Sequence, residues 1–102
     1  QAHHFLKFNK GKSTYSEERY HKEAERIYNV MNTKLKDSKY LAGDEYTIAD
    51  IAAWPWIARF EWHQIDIKKY DSVADWYTNI SNREAVQKGY DIPSIGASIP
   101  KI

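Results

Sequence analysis

The sequence predicts an all-α domain, a helical bundle organised around a buried central helix whose start is strongly specified. Three observations carry this. Apolar residues between positions 16 and 36 recur with helical spacing, a capping sequence at 46–51 opens a run that is apolar nearly all round, and nowhere do apolar and polar residues alternate as in a half-buried strand. The chain has 102 residues, which is room for one domain with a high ratio of surface to core. Four Trp and eight Tyr suit that constraint, because each buried aromatic removes roughly 150–250 Å² from water.

The opening stretch, Ala2 to Phe8, has no cap in front of it and runs into Asn9-Lys10-Gly11, a helix stop signal. It reads as the tail of a longer helix. The longest segment spans about Ser16 to Lys36, with Tyr20, Ala24, Ile27, Tyr28, Met31 and Leu35 forming one apolar stripe. Glu18 and Lys22 are an i,i+4 pair in the favourable order, worth roughly 0.2–0.5 kcal/mol. Asp37-Ser38-Lys39 and Gly43-Asp44 then break the chain, and the Tyr40-Leu41 pair between them is expected to pack inward.

The third segment, Ile48 to Phe60, is apolar nearly all round, the pattern of a helix surrounded by others. Thr47 is its expected N-cap, accepting from the Asp50 amide while the Asp50 carboxylate reaches back to the Thr47 amide. Tyr46 and Ile51 occupy the two positions of a hydrophobic staple. Loss of the Thr47 cap is expected to cost roughly 0.5–2 kcal/mol. Pro55 lies inside the segment, where a proline costs about 3 kcal/mol or more. Because the apolar pattern continues to Phe60, the expectation is a kink near 51–55 rather than a break. A fourth helix, about Ser72 to Ser81, places Val73, Trp76, Tyr77 and Ile80 on one face, with Asp71 or Ser72 as cap. A short turn from Arg83 to Gly89 follows. The domain therefore spans 1–90, and residues 91–102, with two Pro and a Gly, form an extended tail.

Several function classes are excluded or disfavoured. With no Cys, this chain supplies no disulfide, thiolate metal site or cysteine nucleophile. A net charge of +1 with interspersed signs gives no reason to expect nucleic acid or a membrane surface as partner. No apolar run approaches the roughly 20 residues of a membrane span, and no signal peptide is read at the start. His3-His4, with His21 and His63, invites a metal reading, but the spacing matches no helical ligand motif, so none is expected. Asp50 is explained by capping rather than acid catalysis, and Trp54-Pro55-Trp56 by core packing rather than a ligand cage. Arg19 sits near a helix N-terminus, where a cation is mildly disfavoured. It is either a solvated surface arginine or a fork for bidentate carboxylate recognition.

From Gly43 to Trp56 the sequence resembles the carboxy-terminal domain of the glutathione S-transferase superfamily, whose Gly…(Ser/Thr)-Ile-Ala-Asp signature stands here as Gly43…Thr47-Ile48-Ala49-Asp50. Glu18-Arg19-Tyr20, Ile27-Tyr28-Asn29-Val30 and Trp54-Pro55-Trp56 resemble, more narrowly, the nu-class bacterial enzymes and the related fungal nitrogen-regulator proteins. So do Gln1 to Phe5, Ile65-Asp66-Ile67 and Tyr70 to Val73 with Trp76. The resemblance runs from residue 1 to about Val86. It departs at Glu84, where the family usually has a proline. It implies a glutathione S-transferase C-terminal-like bundle whose complete protein carries an amino-terminal thioredoxin-like domain, absent from this chain. It implies a cytoplasmic homodimer that uses glutathione on an electrophile or a disulfide, without a metal. It maps the family's glutathione-contacting arginine onto Arg19. No catalytic residue is expected within this chain, and the isolated domain is expected to be inactive. The alternative is a non-enzymatic protein-interaction module of a transferase-like translation or regulatory protein.

Overall fold

The computed structural model describes residues 4–90 and 98–102. A π-helical turn (His4–Phe8) leads into α1 (Thr14–Asp37), α2 (Ile48–Ile57), a 3₁₀ turn (Ile67–Lys69), α3 (Asp71–Ser81) and α4 (Glu84–Tyr90). Among the described residues there is no strand, only an isolated antiparallel bridge between Tyr40 and Gly43. The expected extended tail lies outside the described residues over 91–97. Residues 98–102 are non-helical, and there Ile99 packs on the core while the Tyr77 hydroxyl donates to the Pro100 carbonyl.

Helix α1 starts earlier than its apolar stripe does. Ser13 caps it, its side chain accepting from the Ser16 amide at 3.2 Å, and the Glu17 carboxylate accepts from Gly11 N at 2.6 Å. Gly11 takes a φ of +84°, a left-handed conformation open to glycine without strain, which turns the chain out of the π-helical turn. The buried face of α1 is Ala24, Tyr28, Met31 and Leu35. Ile27, expected in the stripe, lies at its edge and is 43% exposed. This face packs most extensively on α3, whose Val73, Trp76, Tyr77 and Ile80 are all buried.

Helix α3 begins at Asp71, and neither Asp71 nor Ser72 caps it. The cap comes from another helix. Asn32 Oδ1, on α1, accepts from the amides of Ser72 at 2.9 Å and Val73 at 3.2 Å. Two of the otherwise unpaired donors at the helix start are thereby satisfied by a residue about 40 positions away, which locks α1 to α3.

Helix α2 is the element the sequence specifies most sharply. The Asp50 carboxylate accepts from Thr47 N at 3.0 Å, and the Thr47 hydroxyl accepts from Ala49 N at 3.3 Å while closing a capping box with Asp50. Pro55 sits inside the helix without breaking it, but the helix stops at Ile57 rather than Phe60. Phe60 is still buried, carried inward by the irregular turns that follow. The expectation of burial all round does not hold. Asp50, Trp54 and Ile57 face the core, whereas Ile48 is 80% exposed, Ile51 54% and Trp56 65%. Trp54 joins α2 to α3, stacking on Tyr77 at 5.3 Å and donating its Nε1–H to the Tyr77 carbonyl at 3.2 Å.

Candidate functional site

The residue that the sequence singles out for ligand binding, Arg19, lies on the second turn of α1. Its surroundings are built by three adjacent pieces of chain. The capped start of α1 and the Glu17–Gly11 hydrogen bond fix the preceding loop. The π-helical turn contributes Phe5, which stacks on Tyr20 with ring centres 5.2 Å apart and planes within 7°. The Arg19 guanidinium then lies 5.6 Å from the centre of the Tyr20 ring. The arrangement is a layered Phe5–Tyr20–Arg19 stack, anchored at its base and exposed at its charged end.

The Tyr15 hydroxyl, and after it Tyr20, hold the Arg19 guanidinium above its ordinary pKa, so the side chain is a permanent cation. Among the described residues no carboxylate lies within ion-pair distance of it. Nearby Glu23 is engaged by Arg26 through two hydrogen bonds of 2.9 and 2.6 Å. An exposed planar fork that forms no ion pair among the described residues is suited to a carboxylate ligand.

The turn after α2 closes the same end of the bundle. Gln64 has a φ of +57°, and its carbonyl lies 3.0 Å from His21 Nε2 while its side-chain amide donates to the Leu6 carbonyl at 3.4 Å. His21 Nδ1 faces Glu25 at 3.2 Å. His63 is buried with its Nδ1 hydrogen-bonded to the Tyr28 hydroxyl at 3.0 Å. These histidines tie the turn to α1, and the described residues contain no group of three or more possible metal ligands. His3 lies outside the described residues. Lys7 and Arg59 both lie over the Trp62 ring, at 4.2 and 4.5 Å. They brace the π-helical turn against the segment following α2.

The other candidates resolve as structure. Trp54 is buried and Trp56 is exposed, so the two do not form a cage. Tyr46 and Ile51 line a common cavity beside the start of α2. Asp50 is fully buried and accepts three hydrogen bonds: from Thr47 N, from Leu41 N at 3.0 Å and from Trp76 Nε1 at 2.8 Å. The last two partners were not legible in the sequence, since they come from a loop and a helix that local spacing does not connect. A carboxylate so fully engaged holds its neighbours in place and has no free lone pair aimed at solvent for acid–base work. No described helix is long and apolar enough to cross a membrane.

Comparison with known proteins agrees with this architecture. Residues 1–84 match the glutathione S-transferase C-terminal domain family. The chain is 40% identical to the disulfide-bond oxidoreductase YfcG of Escherichia coli, over 83% of this chain and 40% of the relative. It is 34% identical to the disulfide-bond oxidoreductase YghU of the same organism, over 84% of this chain and 32% of the relative. An uncharacterised GST-like protein of Streptococcus mutans is 30% identical over 87% of this chain and 37% of its own length. The chain thus spans well under half the length of these relatives. With its all-helical architecture and a capped Thr-Ile-Ala-Asp start to α2, the chain belongs to the glutathione S-transferase C-terminal domain family.

Proposed function

We propose that this chain is the helical domain of a glutathione-dependent disulfide-bond oxidoreductase, with Arg19 contributing to glutathione binding. The observation that carries the reading is Arg19 itself, an exposed guanidinium beside the Tyr20 ring and in no ion pair among the described residues, in a chain similar to two proteins named as disulfide-bond oxidoreductases. The Glu18-Arg19-Tyr20 and Trp54-Pro55-Trp56 motifs favour the nu-class branch.

This chain has no cysteine and supplies no thiol of its own. In this reading the reducing thiol is that of glutathione. A glutathione thiolate attacks one sulfur of the substrate disulfide, forming a mixed disulfide and expelling the other sulfur as a thiolate that takes up a proton. A second glutathione thiolate attacks the glutathione sulfur of the mixed disulfide, giving oxidised glutathione and the second substrate thiol. In this reading an amino-terminal thioredoxin-like domain holds and activates the thiol. The helical domain pairs Arg19 with a glutathione carboxylate and forms one wall of the disulfide pocket. The Ile48, Ala52 and Trp56 edge of α2 packs on the other domain, and the complete protein works as a cytoplasmic homodimer.

The test is calorimetric titration of glutathione into the full-length protein and its Arg19→Ala variant, beside glutathione-dependent reduction of a small dialkyl disulfide. Hydrogen bonds to charged groups contribute about 1.5–3 kcal/mol. The variant should therefore bind glutathione roughly ten- to hundredfold more weakly. Equal affinities would remove Arg19 from the site. Turnover by the present chain alone, at the rate of the full-length protein, would overturn the division of labour between domains.

A further inference from the structure

The geometry points to a second binding site, separate from the Arg19 end, for a small organic monoanion with an apolar body. Between α2, α3 and the short α4 lies a cavity of about 430 Å³, in the range of roughly 300–1,000 Å³ typical of small-molecule sites. Its walls are Ile51 and Trp54 of α2, Ile80 of α3, Val86 of α4 and the Tyr46 ring. The one charged residue among the lining residues is Arg83, at the junction of α3 and α4.

Arg83 has the features of a head-group partner. Its guanidinium lies 4.0 Å from the centre of the Tyr46 ring, a cation–π contact that holds the fork against one wall. Among the described residues no carboxylate lies within ion-pair distance of it. The cavity offers an occupant little other polar chemistry. The Trp54 Nε1–H is already donated to the Tyr77 carbonyl, and beyond Arg83 the polar side-chain groups of the lining residues are the Tyr46 and Tyr90 hydroxyls.

These features define the ligand class. The apolar walls take an alkyl or aryl body out of water, and the single fork pairs with one carboxylate or sulfonate. A polyanion would find no second cation here, and a sugar would find few hydrogen-bonding groups. Val86 and Tyr90 of α4 pack against the core, and the Tyr90 ring meets Trp54 edge-on at 5.9 Å, so the α4 wall is held in place. The site shares no residue with the Arg19 stack, and the inference does not rest on glutathione chemistry.

The experiment titrates decanoate and, separately, decanol into the chain, following the amide and indole N–H signals by NMR. The expected result is saturable decanoate binding that shifts Trp54, Ile80 and Val86, about tenfold tighter than decanol. Arg83→Gln should abolish that preference while leaving decanol binding in place. Val86→Trp fills the cavity and should remove both ligands with the far-ultraviolet circular dichroism unchanged. Shifts outside the cavity, equal affinity for acid and alcohol, or no binding up to about 1 mM would each overturn the proposal. The same titration on the full-length protein adds a further arm. Loss of decanoate binding there would mean that the cavity receives another part of the polypeptide, which also overturns it.

Discussion

Replacing Asp50 by alanine is the most informative single perturbation of this fold. The wild-type carboxylate is fully buried and engaged by three donors at 2.8–3.0 Å: Trp76 Nε1 in the core, Leu41 N in the preceding loop and Thr47 N at the helix cap. Alanine leaves all three without an acceptor. A buried unsatisfied donor costs roughly 1–3 kcal/mol. The indole is fully enclosed and warrants about 2 kcal/mol, while the two amides are partly accessible to water and warrant about 1 kcal/mol each. The sum is about 4 kcal/mol, against a total stability of roughly 5–15 kcal/mol for a domain of this size. Relief of the desolvation of Asp50 offsets part of this, but in the wild type the three hydrogen bonds already compensate that burial.

Urea unfolding followed by far-ultraviolet circular dichroism measures the effect. With a slope of about 2 kcal/mol/M, the midpoint should fall by about 2 M. Asp50→Asn keeps one oxygen but presents an NH₂ group to a donor, so it should fall in between. Trp76→Phe removes one donor and its packing. The further loss on adding Asp50→Ala to that background should be about 1–2 kcal/mol smaller than in the wild type. An Asp50→Ala variant destabilised by less than about 1 kcal/mol would refute the three-donor account.

Three other outcomes are expected. Asn32→Ala uncaps α3 at a distance and should cost about 0.5–2 kcal/mol in the same unfolding assay, with Asn32→Asp retaining most of it; an unchanged midpoint would show that water replaces Asn32. Burial, with lesser contributions from Tyr90 and Glu61, raises the Tyr77 phenol to about 12 from an ordinary 10.0, and burial also raises Tyr28. The fold thus favours the neutral phenols, and their contribution is complete below the ordinary value of 10.0 and is lost as pH rises toward about 12. Unfolding should then coincide with the late part of the phenolate absorbance change, and early, fully reversible titration of every tyrosine would contradict the burial. Finally, the exposed α2 face should make the isolated chain self-associate in sedimentation velocity, and Ile48→Lys with Trp56→Glu should restore a monomer at a stability within about 0.5 kcal/mol per site.

The helices themselves were legible because their signals are local. The α3 stripe of Val73, Trp76, Tyr77 and Ile80 is buried as a set, and the capping residues of α2 lie within four positions of one another. What could not be read were the contacts between segments distant in sequence. Asn32 looks like an ordinary polar residue on α1, and only the fold brings its carbonyl oxygen to the amides of Ser72 and Val73. Trp76 signals a core position, but its indole N–H reaches a carboxylate 26 residues earlier. The Phe5–Tyr20 stack that supports Arg19 likewise joins two pieces of chain across a glycine turn. Arg19 was legible as a candidate through family likeness, and no local spacing singled it out.

The misreading of α2 has a physical cause that bears on function. Its apolar residues belong to two stripes rather than one continuous buried surface. Trp54 and Ile57 face inward with Asp50, whereas Ile48, Ile51, Ala52, Pro55 and Trp56 follow i, i+3, i+4, i+7, i+8 spacing and are all exposed. Hydropathy correctly registers that both sides are apolar, but it cannot say whether one chain covers both. Isolated exposed apolar residues such as Phe8 and Val30 are ordinary on a protein surface. Five in register on one helix are not, because a contiguous apolar strip of that kind marks a contact surface. The capping box fixes the entry of this helix and so orients both stripes. In the proposed reading, a residue set that performs no chemistry thereby determines how the helical domain would meet a domain that does.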